Sequence, residues 1–315
     1  MKTRILSTED LTTYTKDPST LGLLNALYKH QQQHWPLLGL GIKGLESRKE
    51  KCLSLGEDTV SVQFNPARIK SIAANVDPNV VKARTCFLCL ENLPPEQTGI
   101  LVDHNLLALT NPMPVFLSHF TLAHIQHKAQ DIVGHIESLL KVSMKLAGGY
   151  SVFFNGSLAG ASAPDHFHFQ ACPKNSLPIT SLARNKEARA TKVGTILSVN
   201  ISTTSFFDNR YIVLKSSSLE DLVSVLERLI YLLDNNHPCG KDMLNIIVDH
   251  NSHTGWQVVF IPREKHRPDC FYEEGNNSLL ISPGSIEMAG VIITAREEDF
   301  DRVTSEDVKN ILKEV

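Results

Sequence analysis

The chain has 315 residues, 42% of them apolar and 21% charged, and a net charge of −3, which predicts a well-packed soluble protein of one large domain or two. With no strongly basic balance, duplex nucleic acid is not an expected partner. No run of about 18 apolar residues is present, which excludes a membrane-spanning helix.

The N-terminal residues Met1 to Ile5 lead into polar Ser7-Thr8-Glu9-Asp10, without the apolar core of a signal peptide. Six cysteines are scattered apart from one Cys-x-x-Cys, a pattern of the reducing cytoplasm rather than of a disulfide framework. Asp17-Pro18-Ser19-Thr20 is a helix-start signal, and Leu21, Leu23, Leu24, Leu27 and Tyr28 then recur at helical spacing until Trp35-Pro36. Residues 36–58 are Gly-rich and mixed, and are expected to be loop. Residues 59–64 alternate like a strand and stop at Asn65-Pro66, followed by Arg68 and Lys70, which are either exposed charge or phosphate ligands. Cys86 and Cys89 have the spacing of a zinc knuckle or a redox pair. Pro94-Pro95 blocks the helix a redox pair would open, which favours metal over redox. With no second Cys-x-x-Cys, any further ligands are histidines, with His119, His124, His127 and His166 as candidates. Two buried free thiols are the bland alternative.

Residues 101–110 and 119–125 read as two strands, and residues 130–146 as a helix with Ile132, Val133, Ile136, Leu139, Leu140 and Leu146 on its apolar face, stopped by Gly148-Gly149. A short buried strand follows at 150–155, then a loop of small residues at 156–163. His166-Phe167-His168-Phe169-Gln170-Ala171 then alternates polar and apolar. Strand side chains point to opposite faces with period two, so His166, His168 and Gln170 would share one face and Phe167, Phe169 and Ala171 the core. Two imidazoles and an amide beside a Gly/Ser loop can hold a phosphate, with Gly156 and Gly160 letting backbone come close. A neutral imidazole near a phosphate is either a nucleophile at pH 7 or only a hydrogen-bond donor, and the bland alternative is one structural His and one satisfied polar group.

The stretch from Asn155 to Gln170 resembles the active segment of the histidine-triad superfamily. More narrowly it resembles the branch with Gln in the last triad place: galactose-1-phosphate uridylyltransferase, diadenosine tetraphosphate phosphorylase and GDP-L-galactose phosphorylase. The resemblance implies that His168, in the second His place, is the catalytic nucleophile and that Gln170 holds a phosphate oxygen of the covalent intermediate. It implies phosphate contacts for Asn155 and Ser162, with Gly160-Ala161-Ser162 nearest the phosphorylases. Asp165 departs from the uridylyltransferase, which has Pro or Asn there. The resemblance further implies a closed, structural zinc on Cys86, Cys89, His127 and His166, with His166 also part of the active segment. It often accompanies dimers, so a homodimer is expected. It covers residues 84–172 well and the remainder loosely.

Beyond it, residues 173–192 are polar and basic, with Lys174, Arg184, Lys186, Arg189 and Lys192 read as surface. Strands are expected at 195–201 and 210–215, and a helix at 218–235 opened by Ser218 with Asp221 in the capping-box place. Strands at 244–248 and 257–261 lead into the basic turn 262–268, an arrangement that echoes residues 120–128. Arg263, Lys265 and Arg267 are therefore candidate ligands for outer phosphates, or else a solvent-facing turn. A strand within 275–281, a last strand at 291–294 and a helix from Ser305 complete the chain. The expected fold is α+β and histidine-triad-like, mostly antiparallel sheet with packed helices. It divides into a first half, 1–175, with the active site, and a related half, 176–315, without His-x-His-x-Gln. The expected function is a phosphorylase or nucleotidyltransferase taking a nucleoside polyphosphate or nucleoside-diphosphate sugar, with phosphate as second substrate. A hydrolase with the same intermediate and a non-catalytic nucleotide-binding protein are the alternatives, and a zinc-stabilised interaction protein is a third.

Overall fold

The computed structural model describes residues 4–185, 190–207 and 209–315; Lys186 and Arg189 of the basic stretch lie outside the described residues. Its strands are β1 (Lys49–Leu55), β2 (Asp58–Phe64), β3 (Gly99–Asp103), β4 (Leu106–Thr110), β5 (Phe120–His124), β6 (Tyr150–Asn155) and β7 (His168–Pro173). They continue with β8 (Thr191–Ile196), β9 (Val199–Phe206), β10 (Asn209–Ser216), β11 (Leu244–Asn251), β12 (Gly255–Pro262) and β13 (Val291–Thr294). Ten of them form one antiparallel sheet in the order β3-β4-β5-β7-β6-β11-β12-β10-β9-β8. The α+β class expected from the sequence, mostly antiparallel sheet with packed helices, is the class found.

The order is the same on either side of the centre. Three strands, a helix (Ile136–Lys145) and two more strands give β3-β4-β5-β7-β6. Three strands, a helix (Leu219–Asn236) and two more give β8-β9-β10-β12-β11. The two runs meet where β6 pairs antiparallel with β11 and Asn155 lies opposite Asn245. By place in the sheet β12 answers to β7 and β10 to β5. The likeness of 257–265 to 120–128 thus pairs strands that are not counterparts, because a short apolar strand before basic residues is a common local pattern.

Period-two alternation divides the core between the two faces of the sheet. Val152, Phe154, Phe167, Phe169, Ile246, Val248 and Phe260 join the core under the helices Thr20–His34, Ile136–Lys145 and Leu219–Asn236. Phe153, Cys172, Ile247, Val259 and Ile261 belong to a second core, shared with the small sheet β1-β2-β13 and the C-terminal helices. In that small sheet β13 lies parallel to β2, with Val291 beside Ser61.

Several expectations are corrected. Residues 36–58 are not loop: Pro36–Glu46 is a helix and β1 a strand. Leu38, Gly41, Ile42 and Leu45 are its buried positions, at helical spacing that the glycines obscure. Gly41 is there for packing, since a Cβ would fall 2.0 Å from the Pro112 carbonyl. The helix expected from residue 130 begins at Ile136, because Gly134 takes φ +75 and Gln130 turns its side chain to other work. Residues 101–110 form a hairpin rather than one strand, residues 195–201 are divided between the end of β8 and the start of β9 by a turn at 197–198, and residues 278–284 join no sheet. No helix among the described residues is long and apolar enough to cross a membrane.

Candidate functional site

A cavity of about 420 Å³ opens on the second-core face of the sheet, at the start of β7. It is within the size range of small-molecule sites. His168, Gln170, Asn155, Gly160 and Ser162 line it, joined by Arg68 and Lys70 from one side and Arg267, Ser285 and Glu287 from the chain's last third. His166 does not line it. β7 begins only at His168, and the His166 ring points into a different cluster.

His168 is held at both its backbone and its ring. Its N–H donates to Gln130 Oε1 at 2.7 Å, and Gln130 Nε2 donates to the carbonyls of His168 and Asn155, each at 2.9 Å. One amide therefore straps the start of β7 to the end of β6. The His168 Nδ1 lies 2.8 Å from the His166 carbonyl. A carbonyl only accepts, so Nδ1 carries the proton and Nε2 keeps its lone pair. Burial depresses the His168 pKa to about 4, so the ring is neutral at pH 7.

Two amides flank this ring. The Gln170 oxygen sits 2.9 Å from His119 Nε2, and Val115 N–H donates to His119 Nδ1 at 3.4 Å. The Asn155 oxygen accepts from Asn245 Nδ2 at 2.9 Å, Ser285 N–H at 2.8 Å and Ser285 Oγ at 2.6 Å. Its amide nitrogen is then the group left to face the cavity. Gly160 takes φ +90 against Gly284, whose Cα would lie 2.5 Å from an added Cβ. A glycine is needed there both for the backbone angle and for the close approach.

Cys86, Cys89, His127 and His166 place their ligand atoms within 4.8 Å of one another. Cys86 Sγ is 3.2 Å from His166 Nδ1, and Cys89 Sγ is 3.3 Å from His127 Nδ1. The His166 Nε2–H donates to the His124 carbonyl at 2.7 Å, which leaves Nδ1 as the ligating nitrogen. Burial, with Cys86 beside it, pushes the Cys89 thiol up to about 12. A divalent cation would reverse that and deprotonate it. Two thiols and two imidazoles fit a closed tetrahedral zinc site. His119 and His124, the other candidates, lie outside the quartet. Asp165, the departure from the uridylyltransferase pattern, pairs with Arg84 at 2.5 Å, next to Cys86 in the chain's fold.

The basic turn divides by residue. Arg263 is fully buried and is not on the cavity wall. Its Nε donates to the Val315 carbonyl at 2.7 Å, Nη1 to Asn245 Oδ1 at 2.8 Å and the Pro283 carbonyl at 3.1 Å, and Nη2 to the Lys265 carbonyl at 3.1 Å. It is a strut. Lys265 is exposed and paired with Asp269 and Glu314 at 2.8 and 2.6 Å, away from the cavity. Arg267 does line the cavity, anchored to Ser282 Oγ at 2.9 Å and the Ala74 carbonyl at 2.8 Å. Arg68 donates from Nη1 to the Met113 carbonyl at 2.9 Å, and its buried Nε has no hydrogen-bond partner. Glu287 caps the Gly284 N–H at 2.9 Å, and burial raises its carboxyl to about 7.

Sequence reading had no hold on Gln130, a polar residue in an irregular segment, or on Ser285 and Glu287, which lie in the four-residue helix Ser285–Met288. Asn245 left a faint signal: a single amide among Leu244, Ile246 and Ile247 in a buried strand has to be hydrogen-bonded.

Residues 27–173 match the family model described as a domain of unknown function, DUF4922, and residues 181–315 match the GDPGP1-like C-terminal domain. No curated protein matches the chain by sequence. Among solved structures, yeast Ap4A phosphorylase Apa2 in complex with AMP has the same fold, with a TM-score of 0.59 and 18% identity over 91% of this chain and 95% of that one. The same yeast enzyme in complex with Ap4A gives a TM-score of 0.52 and 17% identity over 89% and 96%. These matches bear out the resemblance to the phosphorylase branch of the histidine-triad superfamily.

Proposed function

We propose that this chain, with the fold of the histidine-triad phosphorylases, is a nucleotidyl-transferring phosphorylase whose nucleophile is His168. One observation carries the reading: His168 is neutral, its proton is held on Nδ1 by the His166 carbonyl, and its Nε2 is free in a cavity flanked by two amides. Nε2 attacks the α-phosphorus of a nucleoside polyphosphate or nucleoside-diphosphate sugar. The bond from that phosphorus to the bridging oxygen breaks, and the remaining phosphate or sugar phosphate leaves with the electron pair. Inorganic phosphate then attacks the nucleotidyl-His168 and frees a nucleoside diphosphate. Gln170, Asn155 and Ser162 hold the equatorial oxygens, while Arg68 and Arg267 take the outer phosphates that the sequence offered to Arg263, Lys265 and Arg267. Arg68 is apt because its buried Nε has no other partner.

Residues 1–175 and 176–315 are related halves in this reading, supported by the repeated strand order. Zinc on Cys86, Cys89, His127 and His166 would be structural. Those side chains would brace the residue whose carbonyl sets the His168 proton. The complex of the yeast enzyme with Ap4A supports a dinucleoside polyphosphate, and the GDPGP1-like match supports a GDP-hexose.

The deciding experiment supplies GDP-hexoses, UDP-hexoses and diadenosine polyphosphates with labelled inorganic phosphate to the wild type and His168→Ala. Label in the nucleoside diphosphate, lost in the variant, supports the phosphorylase. Nucleoside monophosphate without label means water is the acceptor and the hydrolase reading replaces it. Nucleotide binding without turnover makes the chain a nucleotide-binding protein.

A further inference from the structure

A glutamine at a phosphate site has two faces. Turned one way its amide offers two N–H donors to phosphate oxygens, and turned the other way it offers an oxygen that repels them. Something must choose between them, and Gln170 itself cannot.

We propose that His119 is the positioning residue that makes this choice, holding the Gln170 nitrogen toward the phosphate. The inference rests on reading the cavity as a phosphoryl-transfer site. The chain of donors runs one way. Val115 N–H can only donate, so His119 Nδ1, 3.4 Å away, must accept and carry no proton. In a neutral ring the proton is then on Nε2. That Nε2–H donates to the Gln170 oxygen 2.9 Å away. A reversed amide would set two donors against each other. The ring is 1% exposed, burial and the Arg68 guanidinium hold its pKa near 3, and Phe116 and Phe153 pack beside it. His119 therefore stays a neutral, one-way relay at any working pH.

The second amide is set by other means to the same end. Asn245 and Ser285 occupy the Asn155 oxygen. Donors thus face the cavity from both sides of His168. This also gives a role to His119, which the sequence offered as a metal ligand and the structure places outside the Cys86, Cys89, His127 and His166 quartet.

The test uses the full chain, histidine-labelled with nitrogen-15, and two variants: His119→Phe keeps a ring without a donor, and His119→Gln can still donate. In the wild type the His119 signal should show the Nε2–H tautomer, unchanged from pH 5 to 8. His119→Phe should bind AMP and GMP about tenfold to a hundredfold more weakly, and bind adenosine and guanosine as the wild type does. His119→Gln should recover most of that loss. In a Gln170→Ala background, His119→Phe should have no further effect on monophosphate binding. An Nδ1–H tautomer, equal losses for nucleosides and monophosphates, or additive effects of the two substitutions would overturn the inference while leaving the phosphorylase reading intact. A wild type that binds neither monophosphate nor inorganic phosphate would overturn both.

Discussion

The two halves of the large sheet share a strand order and differ at one connection. Between β6 and β7 the chain takes the long way, residues 156–167, through Gly160, Ser162, Asp165 and His166. Between β11 and β12 it turns in residues 252–254 and enters β12 at Gly255, whose φ of +77 and closeness to the Ser216 carbonyl leave no room for a side chain. β12 then starts Gly255-Trp256-Gln257, where β7 starts His168-Phe169-Gln170. The difference teaches that the scaffold is symmetric and the chemistry is not. The longer loop brings Gly160 and Ser162 to the cavity wall and His166 to Cys86 and Cys89. The second half keeps its strands tight and uses the chain after β12 instead, as a wall and a strut for the first half's cavity.

Substitutions can break this division of labour or sharpen it. His168→Ala should lower turnover by about a thousandfold or more without unfolding the protein. Retained single-turnover transfer would mean that the chemistry is not confined to the first half. Arg263→Ala should destabilise by about 3 kcal/mol or more, because it leaves the Val315, Pro283 and Lys265 carbonyls and Asn245 Oδ1 without their buried donor. Urea unfolding measures that, and a raised KM at unchanged stability would instead return Arg263 to the substrate. Gln130→Ala removes three buried hydrogen bonds at His168 and Asn155 and should cost about 2–4 kcal/mol.

Glu287 gives a pH signature. Its carboxyl, at 4.5 when unfolded, is raised to about 7 in the fold by burial. Between those values the folded state binds more protons than the unfolded state, so its contribution is fully present below about pH 4.5 and fades as pH rises through 7. Thermal unfolding across pH 5–8 should show a decline of about 1–3 kcal/mol that Glu287→Gln flattens. The smallest effect belongs to Lys265→Ala. Its pairs with Asp269 and Glu314 are at the surface, and its loss should stay within about 0.5 kcal/mol with KM unchanged.

How much of this was legible depended on periodicity. The alternation across 166–171 shows in the fold as Phe167, Phe169 and Ala171 in one core and His168 with Gln170 on the opposite face. The Cys86, Cys89, His127 and His166 quartet needed the resemblance to pick two histidines out of four, because spacing alone cannot tell which distant residues meet. The helix at Pro36–Glu46 was hidden by glycines that serve packing. The roles of Arg263 and Arg267 were indistinguishable in sequence. Four residues apart in one basic turn, one points into the protein and the other along the cavity wall. Gln130 gave no signal, since a strap between two strand ends has no period.

The pairing of β13 with β2 has a consequence for how the molecule comes into being. Val291 lies beside Ser61, and Ser285 holds the amide of Asn155, so contacts far apart in the chain complete both the small sheet and the cavity. During synthesis, β2 emerges with its β13 edge bare and the strand of His168 is made long before the last wall of its cavity. Such distant pairings slow folding and expose an unpaired edge while it waits. A nascent chain halted at residue 280 would hold His-x-His-x-Gln and the Cys86, Cys89, His127 and His166 quartet, with Asn245 as a donor to the Asn155 oxygen, and still lack the two donors of Ser285.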